Sequence, residues 1–406
     1  MPLSSLLGLL LAAMFQQPSP DPELVAARKS CDKGNAGDCH RVAQAHVAGE
    51  GLPKDLAKAA SFFKKGCELG NGPSCLEIGE RQLKGEGVSK DVVKAIAFLQ
   101  KACDGDQPEA CARLGALFHD GTETEKDLGR ANPALLKACE AGLAKSCTTL
   151  AAMYADGSGV AKDPARAFTL FQKGCAGGEA TSCERLALLQ RAGEGGAKDA
   201  AKSVGLFQKS CEGGSLSACH ELGLAYERGE GVRKDLAQAA ALFTKACDGG
   251  EARGCHGIGL MHRDGVGAPK DMAKAVALLT KACDGKAARG CLELGTHYEQ
   301  ARGVGRDLVK SADLYRRACT GGDTRGCLYL GNLYFEGKWV AKDVVRALKL
   351  YREACDAGDL QGCSRVAVMY ERAEGTSRDM KAALAMYTKT CAGGISADCY
   401  QIGRQQ

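Results

Sequence analysis

The chain has 406 residues, which is more than one ordinary hydrophobic core can serve, so we expect several domains or an extended repeat array. Its 54 basic and 49 acidic residues leave a formal net charge of only +5, which is too small and too mixed to favour a nucleic acid or an anionic membrane as partner. Aromatic residues make up 5% and glycines number 53, a composition that favours closely packed short helices over a bulky globular core.

Residues 1–22 resemble a secretory signal peptide. The apolar run from Leu6 to Phe15 is too short to span a bilayer, and a polar stretch with prolines follows it. No Lys or Arg precedes the run and no clean A-x-A cleavage site follows it, so a disordered leader is the alternative. The signal-peptide interpretation predicts that residues 23–406 are secreted or periplasmic.

Cysteine pairs divide the rest of the chain into equal units. The first cysteine of a pair recurs every 36 residues and the second follows eight positions later, with no insertion anywhere. All 22 cysteines belong to this pattern. The pairs are Cys31 and Cys39, Cys67 and Cys75, Cys103 and Cys111, Cys139 and Cys147, Cys175 and Cys183, Cys211 and Cys219, Cys247 and Cys255, Cys283 and Cys291, Cys319 and Cys327, Cys355 and Cys363, and Cys391 and Cys399.

Each unit carries two helical patterns. If the first cysteine is position 1, apolar or small residues at positions 9, 12, 13 and 16 follow the spacing of one helical face. Glycine turns such as GEGVRKD (229–235) end this first helix. An Asp at position 25 predicts the N-cap of a second helix in all ten complete units. These residues are Asp55, Asp91, Asp127, Asp163, Asp199, Asp235, Asp271, Asp307, Asp343 and Asp379.

The second helix of each unit has an aromatic residue or Leu at position 33 and ends at the next first cysteine. Position 4 is Gly in nine of eleven cases, as expected for the residue after a helix C-cap. No strand pattern occurs in the sequence. Because one helical hairpin cannot bury its apolar face alone, we predict an all-α solenoid of stacked 36-residue two-helix repeats.

The cysteine pairs allow three interpretations: metal ligands, redox centres or structural disulfides. Zinc sites need closer pairs or histidines at fixed positions, and the seven histidines are scattered. Redox catalysis would use one C-x-x-C motif rather than eleven identical pairs. If the cysteines form disulfides, bridges between the two cysteines of each pair use every thiol. Bridges such as Cys39–Cys67 would instead leave Cys31 and Cys399 unpaired. We therefore predict eleven short bridges, and neither a metal nor a cofactor.

The pattern AxxLFxKAC…GC..LG..Y..G.GV.KD…A resembles the Sel1-like repeat, which is related to the tetratricopeptide repeat. The C-x7-C pairs make the chain similar to the cysteine-rich Sel1-like proteins of Helicobacter, from about residue 24 to 406. The resemblance implies a right-handed superhelix of disulfide-stapled repeats that binds proteins or peptides on its concave face. It also implies two alternatives: weak β-lactam binding or hydrolysis, and an assembly role in an oxidising organelle.

The β-lactamase alternative can be compared with the residues that such chemistry needs. An S-x-x-K motif occurs at Ser61–Lys64, whereas the S-D-N and K-T-G elements are absent from the sequence. Ser61 occupies a position that varies between repeats. We therefore name no catalytic residue and expect a protein or peptide partner rather than an enzymatic substrate.

Positions 11, 14, 17 and 18 of the first helix vary most and are expected to face solvent, opposite the apolar stripe. By analogy with related solenoids, first helices line the concave side, so these positions form the predicted binding surface. The predicted surface comprises Arg185, Glu221, Arg228, Arg263, Glu299, Tyr329, Asn332 and Arg365. Trp339, at a turn position that is mostly Gly elsewhere, is a further candidate for contact or for local packing.

One repeat, 103–138, departs from the pattern. Its turn reads GTETEKD and lacks the second Gly, and Pro133 falls within the expected second helix. Because proline disrupts a helix interior, we expect Asn132 to act as a new N-cap and the helix to be shortened, making this repeat a weak joint.

Overall fold

A computed structural model describes residues 21–337 and 340–404, and this part of the chain contains 22 α-helices and no strand. The helices are α1 (Pro22–Asp32), α2 (Ala36–Ala48), α3 (Leu56–Glu68), α4 (Gly72–Lys84), α5 (Val92–Asp104), α6 (Pro108–Asp120), α7 (Leu128–Glu140), α8 (Ala144–Asp156), α9 (Pro164–Ala176), α10 (Ala180–Ala192), α11 (Ala200–Glu212), α12 (Leu216–Arg228), α13 (Leu236–Asp248), α14 (Ala252–Asp264), α15 (Met272–Asp284), α16 (Ala288–Gln300), α17 (Leu308–Thr320), α18 (Thr324–Glu336), α19 (Val344–Asp356), α20 (Leu360–Arg372), α21 (Met380–Ala392) and α22 (Ser396–Gly403).

The helices alternate between two kinds. Even-numbered helices, here called A helices, begin shortly before the second cysteine of a pair; odd-numbered helices, here called B helices, end just after the first cysteine. The chain divides after Lys198 into two compact units, and within each unit consecutive helices pack against one another. The all-α stack of two-helix repeats is therefore confirmed.

The predicted caps explain why every B helix begins where it does. The Asp at position 25 accepts a hydrogen bond from a backbone N–H of the first turn in all ten B helices from α3 to α21, for example from Lys310 N to Asp307 at 2.9 Å. Such a bond satisfies a donor that the helix leaves unpaired. At the other end, the residue at position 4 has a positive φ, and this holds even where it is Asp106 or Lys286 instead of Gly.

The apolar stripe of the A helices forms the core of each unit. The aliphatic residue at position 12 is buried in ten repeats, from Val42 to Val366, and half-buried at Ile402. Large side chains from the B helices, such as Phe63, Phe243 and Tyr315, lie between these positions and are fully buried. Each repeat therefore depends on its neighbours for a closed core.

All eleven predicted short bridges are present and no cysteine in the structure is free. Each joins the end of a B helix to the first turn of the next A helix, with Cα atoms 4.4 Å apart at Cys247–Cys255. The alternative bridge from Cys39 to Cys67 does not occur. The pairs are therefore staples between successive hairpins.

A cation two residues before the first cysteine links neighbouring repeats. Lys101 Nζ donates to the carbonyl of Cys67 at 2.6 Å, and Lys245 Nζ donates to that of Cys211 at 3.2 Å. The acceptor lies at the C-terminus of the preceding B helix, where the helix dipole favours positive charge. The recurrent Lys of the KAC motif thus has a structural function that the sequence analysis did not assign.

The expected break in repeat 103–138 is wrong. Helix α7 runs unbroken from Leu128 to Glu140, and its N-cap is Asp127, as in the other repeats, rather than Asn132. Pro133 and Gly129 both lie on the exposed side, so the carbonyl that loses its helical donor is close to water. Glu123, which stands in place of the second turn glycine, forms an ion pair with Lys90 of the preceding turn at 2.7 Å.

The leader predicted at residues 1–22 lies almost entirely outside the described residues, which begin with Asp21 as the N-cap of α1. Among the residues that the structure describes, no helix has the length and apolar character needed to cross a membrane.

Candidate binding groove

A groove of about 1070 Å³ follows the A helices of the second unit. Its walls come from α12, α14, α16 and α18 and from the short turns that lead into α16, α18 and α20. Because those turns repeat every 36 residues, the groove brings together equivalent positions of successive repeats. Side chains that are distant in sequence can therefore contact one ligand in this groove.

The floor of the groove is aromatic and apolar. Phe243 of α13 lies beneath His220, with ring centroids 5.4 Å apart, and Leu224 and Leu260 line the same surface. Burial lowers the pKa of His220, and burial together with the nearby Arg289 guanidinium lowers the pKa of His256 to about 4. Both imidazoles are therefore neutral near pH 7, and the positive charge of the groove comes from its arginines and lysine.

Three arginines occupy the same register on three successive A helices. Arg253, Arg289 and Arg325 are each the second residue of their helix, and all three line the groove. Arg253 is held by Glu251 at 2.8 Å and lies 3.6 Å from Glu221, while Arg325 contacts Asp323 at 2.9 Å. The two outer arginines are thus neutralised by carboxylates, two of which are the N-caps of their own helices.

The first unit has a smaller groove with different chemistry. It measures about 610 Å³, is lined by α4, α6 and α8, and presents Glu80, Glu109 and Glu179 over an apolar surface. Arg113 in its wall is paired with Glu80 at 2.8 Å. Position 7, which is arginine in three repeats of the second unit, is Glu109 and Lys145 here. The same position of the repeat therefore carries different charges in the grooves of the two units.

The residues of the predicted binding surface fall into three groups. Arg185, Arg228 and Arg365 are exposed, and Arg228 also lines the groove of the second unit. Glu221 and Arg263 are half-buried in ion pairs with neighbouring A helices; Arg263 lies 2.6 Å from Glu293. Trp339 lies outside the described residues. Binding by any of these residues remains a prediction.

For the other three residues, the expectation of a free, solvent-facing position is wrong. Glu299 accepts a hydrogen bond from the Tyr315 hydroxyl at 2.6 Å, and Asn332 accepts one from Tyr351 at 2.8 Å. Tyr329 packs edge-on against Tyr315, with ring centroids 5.3 Å apart. Glu299 and Asn332 stabilise their hairpins because the following B helix buries a tyrosine whose hydroxyl needs a partner. Tyr329 instead packs on the tyrosine of the preceding B helix.

The buried tyrosines predict an alkaline loss of stability. Burial raises the pKa of Tyr351 to about 12, and burial with the Glu299 contact raises the pKa of Tyr315 well above its usual range. A tyrosine in the unfolded chain ionises at pH ~10. Above that pH the unfolded chain therefore binds fewer protons than the folded chain, and the free energy of unfolding falls until the buried tyrosines of the folded chain also ionise. Urea unfolding at increasing alkaline pH should show this decline.

Two variants distinguish this effect from general alkaline damage. Tyr351→Phe should make the decline shallower, since it removes one shifted phenol, whereas Tyr400→Phe, at a side chain that is 68% exposed, should leave the slope unchanged. Equal slopes for both variants and the parent chain would contradict the assignment.

Ser61 has no surroundings suited to nucleophilic catalysis. Its hydroxyl is exposed and donates to the carbonyl of Lys58 at 2.8 Å, within its own helix. Lys64, the cation of the S-x-x-K motif, instead lies 3.8 Å from Glu68. A serine nucleophile needs a base within hydrogen-bond reach. These contacts give no support to a β-lactam-hydrolysing site.

Sequence reasoning missed the arginines that define the groove. It placed the binding surface on positions 11, 14, 17 and 18, whereas the groove arginines occupy position 7, two residues before the second cysteine. The signal was present as EARGC (251–255), AARGC (287–291) and DTRGC (323–327). Three identical residues at one register of consecutive repeats indicate a shared surface, because equivalent positions lie side by side in a stack.

The fold and the groove define a disulfide-stapled α/α repeat protein. The Sel1 repeat family matches ten consecutive segments, and the chain belongs to this family. The matched segments are 38–71, 72–106, 108–143, 144–179, 180–215, 216–251, 252–286, 288–323, 324–359 and 360–395. No curated protein matches the chain.

Solved structures support the fold. The chain is similar to c5321, a protective antigen of uropathogenic Escherichia coli strains displaying an SLR fold, with 22% identity, a TM-score of 0.63, and coverage of 94% of this chain and 91% of that one. A Sel1 repeat protein from Oxalobacter formigenes has 22% identity and a TM-score of 0.60, covering 81% of this chain and 93% of its own. Helicobacter pylori cysteine rich protein B has 29% identity over 32% of this chain and 93% of its own, with a TM-score of 0.27.

Proposed function

We propose that the chain is a secreted or periplasmic scaffold that binds a protein or peptide partner on its A-helix side. The observation that carries this proposal is the groove of the second unit, which crosses four A helices and combines an apolar floor with charged walls. Such a mixture is typical of surfaces that recognise a polypeptide rather than a small apolar ligand. Sel1 repeats generally mediate protein interactions, which supports the same function.

The proposed compartment follows from the cysteines. Eleven structural disulfides persist only where thiols are not kept reduced, as in secreted or periplasmic proteins. The apolar run from Leu6 to Phe15 is consistent with export. Both observations favour a partner that is met outside the cytoplasm.

Affinity capture tests the scaffold function. The oxidised full chain, immobilised on a resin, should retain a defined protein from the periplasmic or secreted fraction of its own cells, and excess soluble chain should displace that protein. The same chain after reduction and alkylation is the control, and it should retain nothing because the groove depends on the stapled repeats. Absence of any displaceable protein, or equal retention by the alkylated control, would contradict the proposal.

A further inference from the structure

Two cations that are unpaired within the described part of the chain lie at the start of α16. Ala287 occupies the N-cap position there, and unlike Glu251 and Asp323 in the repeats on either side it has no side chain that can accept a hydrogen bond. Arg289 is exposed and forms no ion pair with any residue that the structure describes. Lys286, with a φ of +66°, lies beside it and is likewise unpaired within the described chain.

The acidic residues of the groove wall do not neutralise these two cations. Glu293 is engaged by Arg263 at 2.6 Å, and Asp323 is engaged by Arg325. Asp359 accepts the backbone N–H of Gly362 at 2.9 Å as the N-cap of α20. Glu227 is the remaining carboxylate, and it lies on α12 beside Arg228. Lys286 and Arg289 therefore keep their positive charge unpaired within the described part of the chain.

An independent observation also points to a ligand. His220 is 7% exposed, lines the groove, and its Nδ1 atom has no hydrogen-bond partner in the described chain. Buried polar atoms are normally paired, so an unpaired one beside an open groove is unusual. The His220 ring lies over Phe243, so the same part of the groove offers an apolar surface and a polar atom without a hydrogen-bond partner in the described chain.

From this arrangement we infer that the groove binds an extended acidic peptide segment, whose carboxylate side chains contact Lys286 and Arg289 and whose apolar side chains pack over Leu224 and Leu260. This inference rests on the proposed function and specifies the chemistry of the partner. An extended segment fits because the groove crosses several successive repeats. A nucleic acid fits less well, since its continuous phosphates would meet Glu227, Glu293 and Asp359.

Ala287→Asp gives the sharpest test, because it should change stability and binding in opposite directions. The backbone at Ala287 (φ −74°, ψ 103°) resembles that of the N-cap Asp359 (φ −73°, ψ 110°), so an aspartate can cap α16 there. The melting temperature should rise because a cap is gained. The new carboxylate should also pair with Arg289, as Asp323 pairs with Arg325, and so weaken peptide binding about tenfold or more.

The probe is a fluorescein-labelled, acetylated and amidated peptide of alternating Glu and Leu, and its binding is followed by anisotropy with the oxidised full chain. The parent chain should bind it saturably, Ala287→Asp and Arg289→Gln should each weaken binding about tenfold or more, and Arg289→Lys should retain most of it. Arg352→Gln is the matched control: it removes one exposed arginine of α19 in the same unit, which neither lines the groove nor belongs to the predicted binding surface, and it should leave the affinity unchanged.

Three results would overturn the inference: no saturable binding of the Glu/Leu peptide, equal binding of the corresponding Gln/Leu peptide, or unchanged affinity in both groove variants. Binding only of a Gln/Leu peptide with a free C-terminus, or only of a single-stranded oligonucleotide, would also overturn it, in favour of a terminal carboxylate or of phosphates. If the resin retains a displaceable protein that Arg289→Gln still binds fully, this inference fails while the scaffold function stands. If no protein is retained at all, the scaffold function fails.

Discussion

Replacing both Cys247 and Cys255 with alanine is expected to lower the free energy of unfolding by about 2–3 kcal/mol, the loop-closure contribution of a bridge that spans about nine residues. The effect is large because this bridge joins α13 to α14 in the interior of the second unit, where both cysteines are 1% exposed. Alanine is preferred to serine because a hydroxyl buried there would lack a partner. Urea unfolding followed by circular dichroism would measure the change.

The terminal pair provides the control for position in the stack. Cys391 and Cys399 connect α21 to α22, and α22 has a neighbour on one side only within the described chain. Their double alanine variant should affect the last hairpin and leave the main transition nearly unchanged, since stability in a repeat array is a sum of local terms. Equal effects at both sites, or no effect at the central site, would show that the bridges do not stabilise the array locally.

Gly231→Ala is expected to destabilise the second unit by about 2–4 kcal/mol, from backbone strain combined with overpacking. Gly231 has a φ of +73°, and a Cβ atom there would lie 2.2 Å from the backbone oxygen of Ala200, in the B helix of the preceding repeat. The obstructing atoms belong to the backbone, so no side-chain rotation can relieve the clash. Thermal and urea unfolding would both report the loss.

Gly229→Ala, two residues earlier, separates the clash from the strain. Gly229 has nearly the same φ, +75°, but the nearest atom to an added Cβ is the Lys234 Cβ at 3.3 Å. The chain itself places Ala301 and Ala373 at the equivalent C-cap, with φ of +56° and +59°. Gly229→Ala should therefore cost only about 1–2 kcal/mol, and a cost as large as that of Gly231→Ala would contradict the role given to the repeat-to-repeat contact.

The difference between these two glycines shows what the sequence could and could not predict. Local features were readable: the 36-residue period, the Asp caps and the pairing of the cysteines all follow from neighbouring residues. The second turn glycine was read only as a turn, because its contact with Ala200 depends on how successive repeats stack. Pro133 was read as a break, since one strong local rule was applied without knowing that its side of α7 is exposed.

The candidate site was likewise predictable from the sequence only where it depends on neighbouring residues, and not where it depends on contacts between helices. Variability between repeats placed the predicted binding surface on the A helices, but Glu299 and Asn332 proved to be partners of buried tyrosines. Their contacts are made to the next B helix, and no spacing within the A helix reveals them. Position 7 was overlooked because it lies in the segment between the paired cysteines, where the residue pattern was attributed to the bridge alone.

The placement of the staples also bears on how the protein is made. Each native bridge joins cysteines eight residues apart, while the next cysteine along the chain is 28 residues further on. Closing the shorter loop costs about 1 kcal/mol less entropy, so in an unfolded chain the native partner is the one met most often. If the chain is exported as proposed, with its N-terminus first, the two halves of each bridge would leave the translocation pore almost together. Oxidation could then proceed pair by pair in the order of synthesis, and twenty-two thiols would reach one pairing without extensive reshuffling.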